Sequence, residues 1–330
     1  ISVGIAMYPE DGGDADSLLR CADMAMYQAK TEGGQRYRFY RAEMNAQAQE
    51  RSQLETDLRV ALRDGGLALH YQPQMQGHAL HGVEALLRWP HPQLGAISPL
   101  RVVALAEECG LLPALTQWVL HEACRQLADW RARGVAVPRV SVNFQASSLL
   151  DSGLPERLMA ALATHGLQPA DLTVEITETV MLAPDPAVLA TARAVRERGI
   201  ALSLDDFGTG YSSLGALHCL PINELKLDKS FVQDIETSAT ARALTSAVLH
   251  IARGLGLPVV AEGVETPAQQ RFLREHGCAV LQGYLLSQPL PAGALEAWLL
   301  HAARQARERR DQWVDAWFAP PSHSPSAPTP

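Results

Sequence analysis

Cysteine is scarce and carries no pairing pattern. Cys21, Cys109, Cys124, Cys219 and Cys278 are scattered over 330 residues, and no CxxC occurs. Such an odd, dispersed set is expected to be reduced thiols in a cytoplasm, mostly small core residues. Long apolar runs are missing as well. No stretch of about 18 uninterrupted apolar residues is present, so no segment here reads as a membrane-spanning helix. The opening "ISVGIAMYPEDGG" lacks both a basic n-region and an initiator Met, so it reads as the inside of a domain rather than a signal peptide. A targeting or membrane segment upstream stays open. Positive charge is in deficit, with 28 Lys and Arg against 36 Asp and Glu and a net charge of −8. Nonspecific binding to a nucleic-acid duplex needs the opposite sign, so no duplex partner is expected. An anionic ligand stays compatible if metal ions invert the local charge. The histidines, His70, His81 and His91 among them, show no ligand spacing and are expected in core or solvated roles.

What is present is a globular composition, 47% hydrophobic and 19% charged. The length allows a large core and more than one unit. Residues 1–40 form a short α+β unit: "ISVGIAMY" alternates like a strand, "DADSLLRCADMAMYQAK" has helical spacing, and "GGQRYRFY" ends in a strand. Residues 41–64 read as a linker helix with Leu54, Leu58 and Leu62 on one stripe, stopped by Gly65 and Gly66. From residue 67 short apolar runs alternate with helical patterns: "LALHYQP", "LHGVEALLRW", "RVSVNF", "LTVEIT", "IALSLDD", "NELKLD", "PVVAEG" and "AVLQGY". Eight such runs predict an α/β fold, a modified TIM (β/α)8 barrel preceded by the short α+β fragment. Only "QMQG" separates the first two runs, too short for a helical crossover, so one strand should be antiparallel. Residues 301–318 extend a charged helix, and the Pro/Ser-rich end "PPSHSPSAPTP" is expected to be disordered.

Side chains alternate along a strand, so the last inward residue of each run is readable. Those residues are Glu84, Asn143, Glu175, Asp205 with Asp206, Lys226, Glu262 and Gln282, spaced by 59, 32, 30, 21, 36 and 20 residues. Apart from the first, each spacing fits one βα unit, and barrel closure gathers the set at the C-terminal face. Five acids and an amide, without His or Cys, suit Mg²⁺ or Mn²⁺. Five carboxylates exceed what one Mg²⁺ takes, so two ions are expected, about 3.5–4 Å apart, to activate a water and clamp a phosphate. Lys226 would steady the water or neutralise developing charge, and the planar fork of Arg88 would grip a phosphate. A single acid after a strand is most often a helix cap or turn residue. Five at equivalent barrel positions are harder to explain that way.

These segments resemble a known family. "VEALLRW", "EITE", "DDFGTGYSSL", "LPINELKLDKSFV", "AEGVET" and "QGYLLSQPL" occur in the order and spacing of the EAL-domain cyclic-di-GMP phosphodiesterases of bacteria, over about residues 52–300. The resemblance implies a barrel with one antiparallel strand and metal-dependent hydrolysis of 3′,5′-cyclic diguanylate to linear pGpG in second-messenger signalling. It implies metal ligation by Glu84, Asn143, Glu175, Asp205, Asp206 and Glu262, and a catalytic Lys226. Glu265 and Gln282 would support the water network, Gln72 and Arg88 would contact substrate, and Glu178 would hold the "DFGTGYSSL" loop. It also implies a homodimer through the barrel, and Ca²⁺ that binds without supporting catalysis. "VNFQASSLL" departs from the family's "VNLSARQL" but keeps Asn143. Residues 1–40 resemble the C-terminal end of a GGDEF diguanylate cyclase domain without its signature, so no synthesis of cyclic-di-GMP is expected. The implied organisation is a GGDEF remnant at 1–40, the linker helix and start of the EAL domain at 41–64, the EAL phosphodiesterase barrel at 65–300, and the C-terminal helix and disordered tail at 301–330. Two rivals remain at this stage: a cyclic-di-GMP receptor without turnover, and an Mg²⁺-dependent barrel lyase or aldolase with Lys226 as its base.

Overall fold

The computed structural model describes residues 1–178, 185–208, 220–302 and 304. The "GTGYSSL" loop beyond Gly208, Cys219, nearly all of the expected 301–318 helix and the Pro/Ser-rich end lie outside the described residues. The elements run β1 (Val3–Ile5), α1 (Ala15–Thr31), β2 (Tyr37–Phe39), α2 (Ala42–Asp64), β3 (Ala68–Gln76), β4 (Ala79–His91), β5 (Gly95–Ile97), α3 (Pro99–Glu108), α4 (Leu112–Ala132) and β6 (Val140–Phe144). They continue with α5 (Leu154–Thr164), β7 (Leu172–Thr177), α6 (Pro186–Glu197), β8 (Ala201–Phe207), β9 (Glu224–Leu227), α7 (Lys229–Gln233), α8 (Ala239–Gly254), β10 (Val259–Ala261), α9 (Pro267–Glu275), β11 (Val280–Leu281), β12 (Leu290–Pro291) and a last helix, α10 (292–302).

Packing groups the chain into two compact units, one of residues 1–68 with 88–115 and the other of 69–87 with the chain from 116 on. These are not the segments that composition marks out, because α2, the β4–β5 hairpin tip and α3 join the N-terminal strands. In the first unit β1 and β2 pair in parallel, Val3 opposite Tyr37. α1 starts at a capping box in which the Ser17 N–H donates to Asp14 Oδ1 at 2.7 Å. It rides close on β1: a Cβ at Gly4 would come within 1.9 Å of the Ala22 carbonyl oxygen. α2 buries Met44, Leu54, Leu58 and Ala61, so the small Ala61, not Leu62, completes the stripe. The buried His91 accepts the N–H groups of Gln93 and Leu94 at Nδ1, which directs its Nε2 proton to Asp57 Oδ2, 3.1 Å away. The neutral ring thus ties the β4–β5 hairpin to α2.

The second unit is a closed eight-stranded barrel in the order β3–β4–β6–β7–β8–β9–β10–β11 and back to β3. Seven strands are parallel where their registers are given, and β3 runs against β11, with Val280 opposite Gln76. This is the α/β barrel with one reversed strand that the short "QMQG" connection implies. Outward residues pack under the helices: Val174, Ile176, Leu202, Leu204 and Leu227 are fully buried, and α5 and α6 add Leu158, Ala161, Ala192 and Val195. Cys124 and Cys278 are buried free thiols, and burial pushes both up to about 12. Among the described residues no helix is long and apolar enough to cross a membrane.

At the start of β7, Asp171 accepts from Arg131 of α4 at 2.6 Å and from the Gln168 N–H at 2.7 Å. Burial alone would raise its pKa, but the guanidinium and the backbone donor hold it below the usual carboxylate range. Asp171→Ala should cost roughly 1–3 kcal/mol, since hydrogen bonds to a charged group are lost. A group whose folded pKa is depressed stabilises above its unfolded value and loses that contribution as pH falls through the folded one. Urea unfolding should therefore show the wild-type advantage at pH 7 and its decline below about pH 4.

Candidate metal centre

The strand ladder delivers the polar residues to one end of the barrel. Asn143 lies opposite Glu175, Glu175 opposite Ser203, and Glu84 opposite Ser141. The stagger lets acids at slightly different heights converge. Beyond the short strands β10 and β11 the ladder continues, with the Glu262 N–H donating to the Leu227 carbonyl at 3.0 Å and the Gln282 N–H to Ala261 at 2.8 Å. Gly283 follows with φ 157, and a Cβ there would lie 2.2 Å from the Val264 backbone. Only glycine permits that approach.

Lys226 stands inside a ring of carboxylates. Its Nζ lies 2.8 Å from Glu175 Oε2, 3.1 Å from Asp205 Oδ1 and 3.3 Å from Glu84 Oε2. Glu262 Oε1 is 2.6 Å away, off the direction of a hydrogen bond. The lysine is 1% exposed and Glu175 is fully buried. Burial opposes the charged ammonium, but the surrounding Glu175, Glu262, Glu84 and Asp205 hold its pKa well above the ordinary value. The acids divide. Burial, with Glu84 adding and Lys226 opposing, raises Glu175 well above the carboxylate range. Burial also pushes Glu262 up to about 8, against the pull of Lys226 and with Asp205 and Glu84 adding. Asp205 is raised by burial and, to a smaller degree, by Glu84, with Lys226 opposing. Glu84 moves the other way: Lys226, Gln282 and Asn143 overcome the cost of its burial.

Alternation alone sends Asp206 to the face opposite Asp205. The structure resolves this with a bulge. Leu204 pairs with Leu225 but Phe207 with Leu227, so β8 carries one extra residue against β9. Asp206 occupies the left-handed region at φ 55, its N–H donating to Asp205 Oδ1 at 2.9 Å. It is half-buried, and burial together with Asp205 and Asp228 raises its pKa.

A web of amides supports the ring. Gln282 Nε2 donates to Glu84 Oε2 at 2.6 Å and to Gln72 Oε1 at 3.0 Å, and its own oxygen accepts from Gln74 at 3.0 Å. Gln72, expected at the substrate, has its nitrogen on the Ser287 carbonyl as well, so both ends of its amide are engaged within the protein. Asn143 donates to Glu84 Oε1 at 2.8 Å. Glu178 accepts the Gly208 N–H at 2.6 Å, where the "GTGYSSL" loop begins. Arg88 lies four residues beyond Glu84 on β4, in the segment that packs with the first unit. Glu265 is exposed, and its described bond is made by its backbone N–H to Gln269 Oε1 at 2.8 Å, apart from the ring. Gln74 is the residue that reading strand ends misses. The signal is in "YQPQMQ", where Gln72, Gln74 and Gln76 alternate onto one face.

The donor set fits a divalent cation. Glu84, Glu175 and Asp205 each offer an oxygen within 4.8 Å of the others. Glu175 Oε1 is buried without a hydrogen-bond partner. Buried polar atoms are ordinarily satisfied, so an orphan in an acidic ring points to a ligand. Oxygen-only donors suit hard cations.

A closed α/β barrel with an acidic, lysine-centred mouth defines the class as a barrel protein whose Glu84, Glu175 and Asp205 could hold a metal ion. Residues 55–289 match the EAL domain model and residues 1–36 the diguanylate cyclase GGDEF domain model. The chain belongs to the EAL domain family, with a GGDEF fragment at its N-terminus. It is 45% identical over 298 residues to the bifunctional diguanylate cyclase/cyclic di-GMP phosphodiesterase MucR of Pseudomonas aeruginosa, covering 90% of this chain and 44% of that protein. It is 42% identical over 300 residues to the cyclic di-GMP phosphodiesterase NbdA of the same organism, covering 90% and 38%. The chain thus spans less than half the length of these curated relatives. Among solved structures, the PaMucR phosphodiesterase in complex with c-di-GMP superposes with a TM-score of 0.70 at 45% identity, over 74% of this chain and 99% of that one. The EAL domain of Mycobacterium smegmatis DcpA gives 0.61 at 32% identity, over 72% and 97%.

Lys226→Met would leave the buried acids without their ammonium. Loss of one partner from a buried charge cluster costs about 3–5 kcal/mol. The metal-free variant should melt well below wild type, and millimolar Mn²⁺ should restore more of its thermal stability than it adds to wild type. Equal Mn²⁺ shifts in differential scanning calorimetry would contradict the ring's charge balance.

Proposed function

We propose that this chain hydrolyses cyclic-di-GMP to linear pGpG, using two Mg²⁺ or Mn²⁺ ions held by Glu84, Asn143, Glu175, Asp205, Asp206 and Glu262. The observation that carries this reading is the buried carboxylate ring around Lys226, with one oxygen of Glu175 left unpartnered. The names of MucR and NbdA and the c-di-GMP-bound neighbour support the substrate. When bound, the ions supply neutralisation of the phosphate and acidification of the attacking water.

The protein's own residues do the rest. Lys226 keeps its proton among the acids and offers positive charge where negative charge gathers on phosphorus-bound oxygen. Gln282, fixed by Gln72 and Gln74, holds Glu84 in orientation, and Asn143 holds its other oxygen. Arg88 grips a phosphate oxygen through its fork. Glu178 anchors the start of the loop after Asp206, and Glu265 acts from outside the ring on the water network. The water oxygen adds to phosphorus as it gives up a proton, the bond from phosphorus to the ribose 3′ oxygen breaks in line, and that oxygen takes up a proton to become the 3′-hydroxyl, which opens the ring of the dinucleotide. Ca²⁺ fills the same oxygen sites without supporting turnover. The active form is a homodimer through the barrel, in the cytoplasm, and the net charge of −8 is no obstacle because the cations face the dianion.

Incubation of cyclic-di-GMP with Mg²⁺ or Mn²⁺ should give pGpG by chromatography, and EDTA should stop it. Glu84→Ala should lower turnover by at least 10²-fold, because alanine supplies no ligand oxygen. Ligand binding without product in the wild type would replace the enzyme by a receptor. Near wild-type hydrolysis by Glu84→Ala would remove that residue from the metal set.

A further inference from the structure

TIM-barrel interiors are filled by layers of bulky, branched aliphatic side chains. The layer beneath the acidic ring is different here. Strand register turns Ser141, Thr173, Ala201, Ser203 and Glu224 inward, because each shares a face with an inward neighbour on the next strand. Ser141, Thr173 and Ser203 are buried at 1%, 1% and 0% exposure. The hydroxyls of Ser141 and Ser203 have no hydrogen-bond partner in the protein. Glu224, the register partner of Ser203, has its Oε2 3.2 Å from His81 Nε2, and both side chains are largely buried.

Two orphan hydroxyls in one layer are improbable in a dry core, where each unmade bond costs of order 1–3 kcal/mol. A serine in place of a branched residue also leaves space. Each serine is the lateral neighbour of an acid: Ser141 of Glu84, and Ser203 of both Glu175 and Glu224. Parallel neighbours stand about 4.8 Å apart, and a glutamate carboxylate reaches well above a serine hydroxyl. A water with two bonds of about 2.8 Å spans such a gap.

We propose that the barrel encloses ordered water between the acidic ring and the His81–Glu224 pair, anchored by Ser141 and Ser203, and that these serines are positioning residues for Glu84 and Glu175. The inference rests on the ring being a divalent-metal site. The serines act through the water on the acids, so they tune how firmly the acids are aimed at a cation rather than the stability of the metal-free fold. Outer partners of metal ligands are typically worth 10–100-fold in metal affinity.

The test is Mn²⁺ binding by electron paramagnetic resonance, without substrate, on the whole chain. Ser203→Val and Ser203→Thr differ only in a methyl for a hydroxyl. Valine should weaken Mn²⁺ binding 10-fold or more, and threonine should stay within about 3-fold of wild type. Ser141→Ala and Ser203→Ala, which add no atoms, should weaken it in the same direction, with the melting temperature of the metal-free protein unchanged. A high-resolution crystal structure should show water bonded to both serine hydroxyls. A dry layer, or alanine variants that bind Mn²⁺ like wild type, would overturn the proposal. A wild type that binds no Mn²⁺ would instead overturn the metal reading, and the crystallographic water would still decide whether the interior is wet.

Discussion

The charge balance around Lys226 is the constraint on which the site depends. Glu84, Glu175, Asp205 and Glu262 approach a single ammonium that is itself almost wholly buried. Four carboxylates and one lysine do not neutralise each other, and burial raises the cost of every uncompensated charge. Burial, with the neighbouring carboxylates adding, raises the pKa values of Glu175, Asp205 and Glu262, while Lys226, Gln282 and Asn143 hold that of Glu84 low. A ring built this way has a standing demand for positive charge beyond the one ammonium.

The scaffold that holds this charge is stiff where it has to be. Each acid stands on or just past a strand whose outward neighbours are closed in by helices, as with Leu202 and Leu204 beside Asp205. Short strands are extended by backbone bonds at Glu262 and Gln282, and Gly283 lets the next loop pack against Val264 without a gap. The reversed strand β3 contributes the glutamines that lock Gln282 and, through it, Glu84. That strand is therefore part of the support of the acidic ring and more than a closure of the barrel.

The residues ahead of the barrel have their own logic. α1 caps one face of a two-stranded parallel sheet, a pairing too small to bury a core by itself. α2 supplies an apolar stripe, and the neutral His91 locks the β4–β5 hairpin to it through Asp57. The same β4 carries Glu84 near its middle and Arg88 toward the hairpin, so one strand serves both compact units.

Much of this was legible in the amino-acid order. Short apolar runs marked all eight barrel strands, the four-residue gap marked the reversed one, and the last inward residue of each run pointed to the acids around Lys226, because strand patterning and βα spacing are local properties. Motif order carried the family. Other features needed the folded chain. Asp206 joins Asp205 only through a bulge against β9, which no alternation rule contains. Gln74 meets Gln282 from a strand far away in sequence, and Glu265, adjacent to a ring residue by motif, is exposed. α2 packs with the first unit because burial of its stripe depends on which surface is at hand. Sequence determined which side chains face inward; tertiary structure decided which of them share a dry volume, and electrostatics at that range depends on distance and burial, neither of which a linear chain specifies.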